Sequence, residues 1–153
     1  MAETLAGIAY ELSLDGLVQQ ERVLHELRAR SGTLLAAASL VASFLGGRTL
    51  DRVGLDPLNV AAGTAFLILI AGTMYVLAPK TELEFALGGS SVYPYFELRQ
   101  IPPEQAQVAI SEWIDNVRNG NQEAIDRLVT CFRASYAALL VEACLWSLSL
   151  AIH

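Results

Sequence analysis

The chain has 153 residues, of which 54% are hydrophobic and 17% charged, and its formal net charge is −6. Soluble domains usually carry about 25% charged residues, so this composition favours a membrane protein. The negative charge argues against binding to nucleic acid, which requires a basic surface. Two histidines and two cysteines provide no zinc-binding spacing and no disulfide framework, so we expect no metal site.

Residues 3–30 are predicted to form an amphipathic cytoplasmic helix. Its apolar side chains recur at intervals of three and four residues: Leu5, Ile8, Leu12, Leu17, Leu24 and Leu27. Gln20 interrupts this stripe, which favours packing against partner helices over a regular coiled coil. Because residues 1–21 contain no Lys or Arg, we expect no signal peptide.

Residues 31–47 contain no charged side chain and predict a first transmembrane helix (TM1). Two series of small residues recur in it at four-residue steps: Ser39, Ser43 and Gly47, and Ala38, Ala42 and Gly46. Small residues at this spacing let two helix backbones approach closely in lipid. The alternative is an alanine-rich helix that makes no such contacts.

Residues 57–79 are uncharged throughout and predict a second transmembrane helix (TM2), after a short polar turn at residues 48–56. Tyr75 fits an interfacial position near the end of this span.

Residues 80–133 are predicted to form a cytoplasmic loop followed by helices. In the loop, the backbone amides of Gly88, Gly89, Ser90 and Ser91 could bind a phosphate, with Arg99 adding charge and Tyr93 or Tyr95 stacking on a base. A flexible turn explains this stretch equally well.

A helix is predicted over residues 103–117, with a proline in its first turn and an apolar stripe that includes Trp113. We expect Asn119 and Gly120 to end this helix. Asn121 would then cap a separate last helix.

Residues 134–153 predict a third transmembrane helix (TM3) with one charged residue, Glu142, near its middle. A carboxylate at that depth is costly and should face other helices or water. Glu142 could be a gate, proton or ion contact in an oligomeric pore. It could instead be a structural carboxyl that meets Ser39, Ser43 or Thr64, or it could lie nearer the lipid headgroups.

Together these elements predict an all-α membrane protein of one domain. Three transmembrane helices carry long amphipathic cytoplasmic extensions that form a helical bundle. Eight Lys and Arg residues lie on one side of the predicted spans and only Arg48 and Arg52 on the other. The positive-inside rule therefore places the N-terminus in the cytoplasm and the C-terminus outside.

Three stretches resemble small bacterial membrane effectors of the Pycsar-type group and the related SLATT-type two-span effectors. They are RARSGTLLAAASLVASFLGG at the start of TM1, VLAPK at the end of TM2 and NQEAIDRLVTCFRASYAALLVEACLW at the start of TM3. The resemblance implies an antiphage or nucleotide-signalling effector that responds to a cyclic nucleotide or a partner enzyme and damages the membrane. It implies no catalytic residue and no cofactor.

The preferred hypothesis is an effector that contacts lipid, forms a homo-oligomer and permeabilises the inner membrane. One alternative is a membrane adaptor that forms no pore and docks a partner protein through its cytoplasmic bundle. A second alternative is a soluble helical bundle whose apolar runs form its core. An enzyme is the least favoured class, because no Ser, His and Asp set can be assembled from the two histidines.

Overall fold

The computed structural model describes residues 4–80, 83, 85 and 101–152. The described residues form helices α1 (Leu5–Val41), α2 (Gly47–Val53), α3 (Pro57–Leu77) and α4 (Pro103–Ile152), with one π-helical turn at Ala42–Gly46 between α1 and α2. They include no strand, which confirms the predicted all-α class.

Among the described residues, three helical stretches are long and apolar enough to cross a membrane: Leu5–Arg52, Pro57–Leu77 and Pro103–Ile152. Each contains one of the predicted spans or most of it. The prediction of three membrane-spanning helices is therefore confirmed at the level of helix length and composition.

The prediction that a helix ends at Asn119–Gly120 is wrong, because α4 runs without a break for 50 residues. Asn121 is buried, and the amide of Gln20 on α1 donates a hydrogen bond to the carbonyl of Arg118 at 3.0 Å. Packing against α1 on both sides of Gly120 outweighs the modest cost of about 1 kcal/mol for a glycine inside a helix.

The predicted polar turn at residues 48–56 is shorter than expected, since α2 remains helical to Val53. Gly54 then adopts a φ of 75°, a conformation that favours glycine. Asp56 caps α3, with its carboxylate accepting a hydrogen bond from the amide of Asn59 at 2.8 Å. Pro57 occupies the first helical turn, where its missing N–H costs nothing.

The described chain divides into two compact units. Unit 1 contains Met1–Leu24 and Lys80–Ile125, and unit 2 contains His25–Pro79 and Asp126–His153. Helices α1 and α4 each contribute residues to both units.

In unit 1, α1 packs against α4 through a seam that mixes apolar and polar side chains. Leu17 and Ile114 are buried in it, and so is Gln20. The Gln20 amide nitrogen also donates to the side-chain oxygen of Gln122 at 3.1 Å. The residue that interrupts the apolar stripe in the sequence thus forms a polar layer between the two helices.

In unit 2, the π-helical turn adjusts which residues of the first helical run are buried. Before the turn, Ser31 and Ala38 are buried seven residues apart on one side of the helix. The next buried residue after Ala38 is Gly46, eight positions later. A π-helical turn accommodates one extra residue, so the chain beyond it keeps the same side towards its neighbours.

Candidate functional site

Unit 2 combines an exterior rich in large apolar side chains with an interior that holds polar as well as apolar ones. Large apolar residues cover its exterior, among them Leu40, Phe44, Leu67 and Leu140. Its interior contains fully buried polar side chains: Ser31, Thr49, Asn59, Thr73, Ser135, Glu142 and Ser149. An apolar exterior around a polar interior is the arrangement expected of helices surrounded by lipid.

Helix α4 supplies the axis of this polar interior. Leu128, Ser135, Glu142 and Ser149 follow one another at seven-residue steps, and none is more than 1% exposed. A seven-residue step returns close to the same side of a helix, so one narrow strip of α4 carries all four. Three of the four are polar, and they form three layers along the helix.

The layer at Ser149 is fully hydrogen bonded across two helices. The Ser149 hydroxyl donates to the side-chain oxygen of Asn59 at 2.8 Å, and the Asn59 amide nitrogen donates to the carbonyl of Gly54 at 2.6 Å. Asn59 therefore ties α4 to the turn that begins α3. These two hydrogen bonds hold the last turn of α4 against the start of α3.

The layer at Ser135 brings α3 and α4 into close contact. The Ser135 hydroxyl donates to the carbonyl of Cys131 at 3.0 Å, one turn earlier on its own helix. It lies so close to Gly72 that a side chain at position 72 would collide with it. Thr73 beside it donates to the carbonyl of Leu69 at 2.8 Å.

Glu142 occupies the middle layer. The pairs Asn59–Ser149 and Gly72–Ser135 show that α3 and α4 run antiparallel, and this register places Ala65 opposite Glu142. Gly46 packs against the indole of Trp146, which places Ala42, one turn earlier, at the level of Glu142. A small residue of each neighbouring helix thus lies at the level of Glu142.

Glu142 is 0% exposed, and neither of its oxygens has a hydrogen-bond partner among the described residues. The indole of Trp146, one turn later, interacts with this carboxyl, but its buried N–H also lacks a partner in hydrogen-bond geometry. Two buried polar groups on adjacent turns of α4 are therefore unsatisfied by protein atoms. Native interiors rarely leave such groups unpaired, so this pair needs an explanation.

The two predicted series of small residues lie on different sides of the first helical run. Ala38 and Gly46 are buried and Ala42 is half-buried, so this series packs inside unit 2. Ser39, Ser43 and Gly47 are exposed, and no atom lies within 4 Å of a Cβ built on Gly47.

The structure does not bring Ser39, Ser43 or Thr64 to Glu142. Ser39 donates to the carbonyl of Leu35 at 2.9 Å, and Thr64 donates to the carbonyl of Val60 at 2.8 Å. All three side chains are exposed, whereas Glu142 is enclosed. The proposed contact between these hydroxyls and the carboxyl is therefore wrong for this arrangement of the chain.

The predicted phosphate-binding and stacking residues lie outside the described residues: Gly88, Gly89, Ser90, Ser91, Tyr93, Tyr95 and Arg99. Nucleotide binding by this loop stays a prediction. Within the described part of the chain, no group of three or more His, Cys, Asp or Glu side chains is placed to hold a metal ion.

Two features of the site were open to prediction from the sequence but were not recognised. The seven-residue spacing of Ser135, Glu142 and Ser149 is visible in the sequence and predicts one buried strip. Asn59 follows Asp56 by three residues at a helix start, a position that favours hydrogen bonding to the turn.

Comparison of the chain with protein families, curated proteins and solved structures gives no match.

Proposed function

We propose that the protein is a membrane effector that forms homo-oligomers and permeabilises the bacterial inner membrane. The observation that carries the membrane part of this proposal is the polarity of unit 2. Its exterior is apolar, and its interior holds a fully buried carboxyl and hydrogen-bonded polar layers. In water this arrangement would expose apolar surface and bury polar groups, so lipid is the solvent that it fits.

The exposed series Ser39, Ser43 and Gly47 supports oligomerisation. These residues leave a shallow strip on the outside of the first helical run, where small side chains permit a second helix to approach. No part of the described chain fills the space at Gly47. In the proposed oligomer, this strip packs against the same strip of another copy.

Control from the cytoplasm is the third part of the proposal. Helices α1 and α4 each belong to both units, so a change in their packing in unit 1 is carried along the same helices into unit 2. The resemblance to Pycsar-type and SLATT-type effectors supplies the signal in this scheme, a cyclic nucleotide or a partner signalling enzyme in antiphage defence.

Leakage of a dye from liposomes that contain the purified protein tests this proposal. We expect leakage that one member of a panel of cyclic nucleotides switches on. Ser43→Leu should reduce both leakage and oligomer formation, because it places bulk on the proposed contact strip. Ala61→Leu adds the same bulk to an exposed position of α3 and serves as the matched control.

Absence of leakage under every condition, from protein that is correctly inserted, would overturn the pore. It would favour the adaptor hypothesis, in which the cytoplasmic helices dock a partner protein. The enclosure of Glu142 within a single chain agrees with that alternative, because an adaptor needs no carboxyl facing a pore.

A further inference from the structure

Two buried polar side chains on α4, Glu142 and Trp146, form no hydrogen bond with the neighbouring helices. The two oxygens of Glu142 and the indole nitrogen of Trp146 are each shielded from solvent and lack a protein hydrogen-bond partner. Glu142 is 0% exposed and Trp146 is 5% exposed. The two side chains stand four residues apart, so both face the same small region inside unit 2.

Apart from each other, these two groups have no polar protein neighbour in hydrogen-bond geometry among the described residues. The side chains at the level of Glu142 on the neighbouring helices, Ala42 and Ala65, have no polar atoms. The hydroxyls nearest along the strip are already occupied, since Ser135 donates to Cys131 and Ser149 donates to Asn59. A small molecule or an ion that reaches both groups would supply the hydrogen bonds that they lack.

The indole of Trp146 packs directly against Gly46 of the first helical run. A Cβ built on Gly46 would lie 3.1 Å from Cζ2 and 3.3 Å from Cε2 of Trp146, so the ring packs directly on the backbone of the first helical run. Cε2 is bonded to the indole nitrogen. This contact therefore fixes where the N–H lies, next to the carboxyl.

The chemistry of the three atoms selects the ligand. A metal cation would require several oxygen ligands, and among the described residues of the strip only Glu142 provides a carboxyl. An anion would find a single N–H donor, that of Trp146, beside an acidic group. A water molecule can accept from the indole N–H and donate to the carboxyl oxygens.

We infer that Glu142 and Trp146 form a binding site for one internal water molecule. Buried waters typically make about three hydrogen bonds to polar groups that would otherwise be unsatisfied, and this site offers three polar atoms. The site does not depend on the formation of a pore.

Nuclear magnetic resonance of the full chain in detergent micelles tests the site. The protein contains two tryptophans, so its indole N–H signals can be assigned with Trp113→Phe and Trp146→Phe. We expect the Trp146 indole proton to show a cross-relaxation peak with water, with the sign typical of a long-lived bound molecule. The exposed Trp113 reports ordinary surface hydration in the same spectrum.

Two variants test whether the water signal at Trp146 depends on Glu142. Glu142→Leu should remove the water peak at Trp146, and Glu142→Gln should retain it because an amide can also bind water. If the folded wild-type protein shows no water peak at Trp146, the inference is overturned. It is equally overturned if the peak persists unchanged in Glu142→Leu, or if Trp146 responds to Glu142→Gln without any water peak, which would indicate a direct bond between the two side chains.

Discussion

Glu142 is the residue at which a single substitution tests a functional hypothesis most directly. Replacing its carboxyl by an amide of the same shape, Glu142→Gln, removes the acid but keeps the packing among Ala42 and Ala65. If Glu142 gates a pore, as one hypothesis from the sequence holds, the variant should fold like the wild type and lose toxicity on expression in bacteria. Ser147→Ala changes an exposed hydroxyl one turn away on α4 and should keep full toxicity. Unchanged toxicity in Glu142→Gln would assign Glu142 a purely structural role.

Gly72 tests the packing of α3 against α4. The hydroxyl of Ser135 lies where a side chain at position 72 would begin, so Gly72→Ala should destabilise the protein by about 1–3 kcal/mol. Gly63→Ala on the same helix meets no atom within 4 Å and should be neutral or stabilising by about 0.4–1 kcal/mol.

Thermal unfolding of the protein in detergent measures both effects. Adding Ser135→Ala to Gly72→Ala removes the colliding hydroxyl and should restore most of the lost stability. A double variant as unstable as Gly72→Ala alone would show that the collision is not the cause.

At the scale of elements, the π-helical turn makes a specific prediction about deletions. Because the turn accommodates one extra residue, removing Ser43 should convert Ala42–Gly46 to regular α-helix and leave Gly46 and Thr49 on the buried side. The matched control removes exposed Glu26 from regular α-helix, which rotates the residues after it by about 100°. Arg28 would then enter the position of Leu27.

We expect the Ser43 deletion to unfold near the wild-type temperature and the Glu26 deletion to unfold much earlier or to fail to assemble. The ion pair between Glu26 and Arg30 is exposed and contributes little, so its loss cannot explain a large difference. Equal destabilisation by both deletions would contradict the role given to the turn.

The sequence predicted helices better than it predicted their ends. Uncharged runs identify the three apolar helices because burial in lipid depends on composition over many residues. The break expected at Asn119–Gly120 did not occur, since the local preference of Gly120 was outweighed by contacts of Gln20 with Arg118, which lie far apart in sequence. The partners of Glu142 were also misjudged, because the uncharged run alone does not reveal which side of a helix a serine occupies.

At the scale of the whole molecule, the two units differ in whether they bury an ionisable side chain, which unit 2 does at Glu142. Unit 1 buries apolar and uncharged polar side chains in equal number: Leu17, Leu24, Ile114 and Ile125, and Ser13, Gln20, Ser111 and Asn121. Unit 2 buries three polar layers beneath an apolar exterior. This apolar exterior is visible in the sequence, because residues 57–79 of unit 2 contain no charged side chain.

The orientation in the membrane is the prediction that follows from charge at this scale. Of ten Lys and Arg residues, only Arg48 and Arg52 lie between the first two predicted spans, so the turn between α2 and α3 should face the outside. In a background without Cys131 and Cys144, Leu55→Cys introduces a thiol at a position that is 86% exposed in this turn. Gln105→Cys introduces one at the exposed start of α4.

A membrane-impermeant maleimide should label Leu55→Cys in intact spheroplasts and should label Gln105→Cys only after the membrane is permeabilised. The positive-inside rule weighs Lys and Arg in short loops near the spans, and both loops concerned are short enough for it to apply. The opposite labelling pattern would invert the topology and place unit 1 outside the cell, where a cytoplasmic nucleotide could not reach it. Labelling of both positions in intact spheroplasts would contradict the three-span arrangement itself.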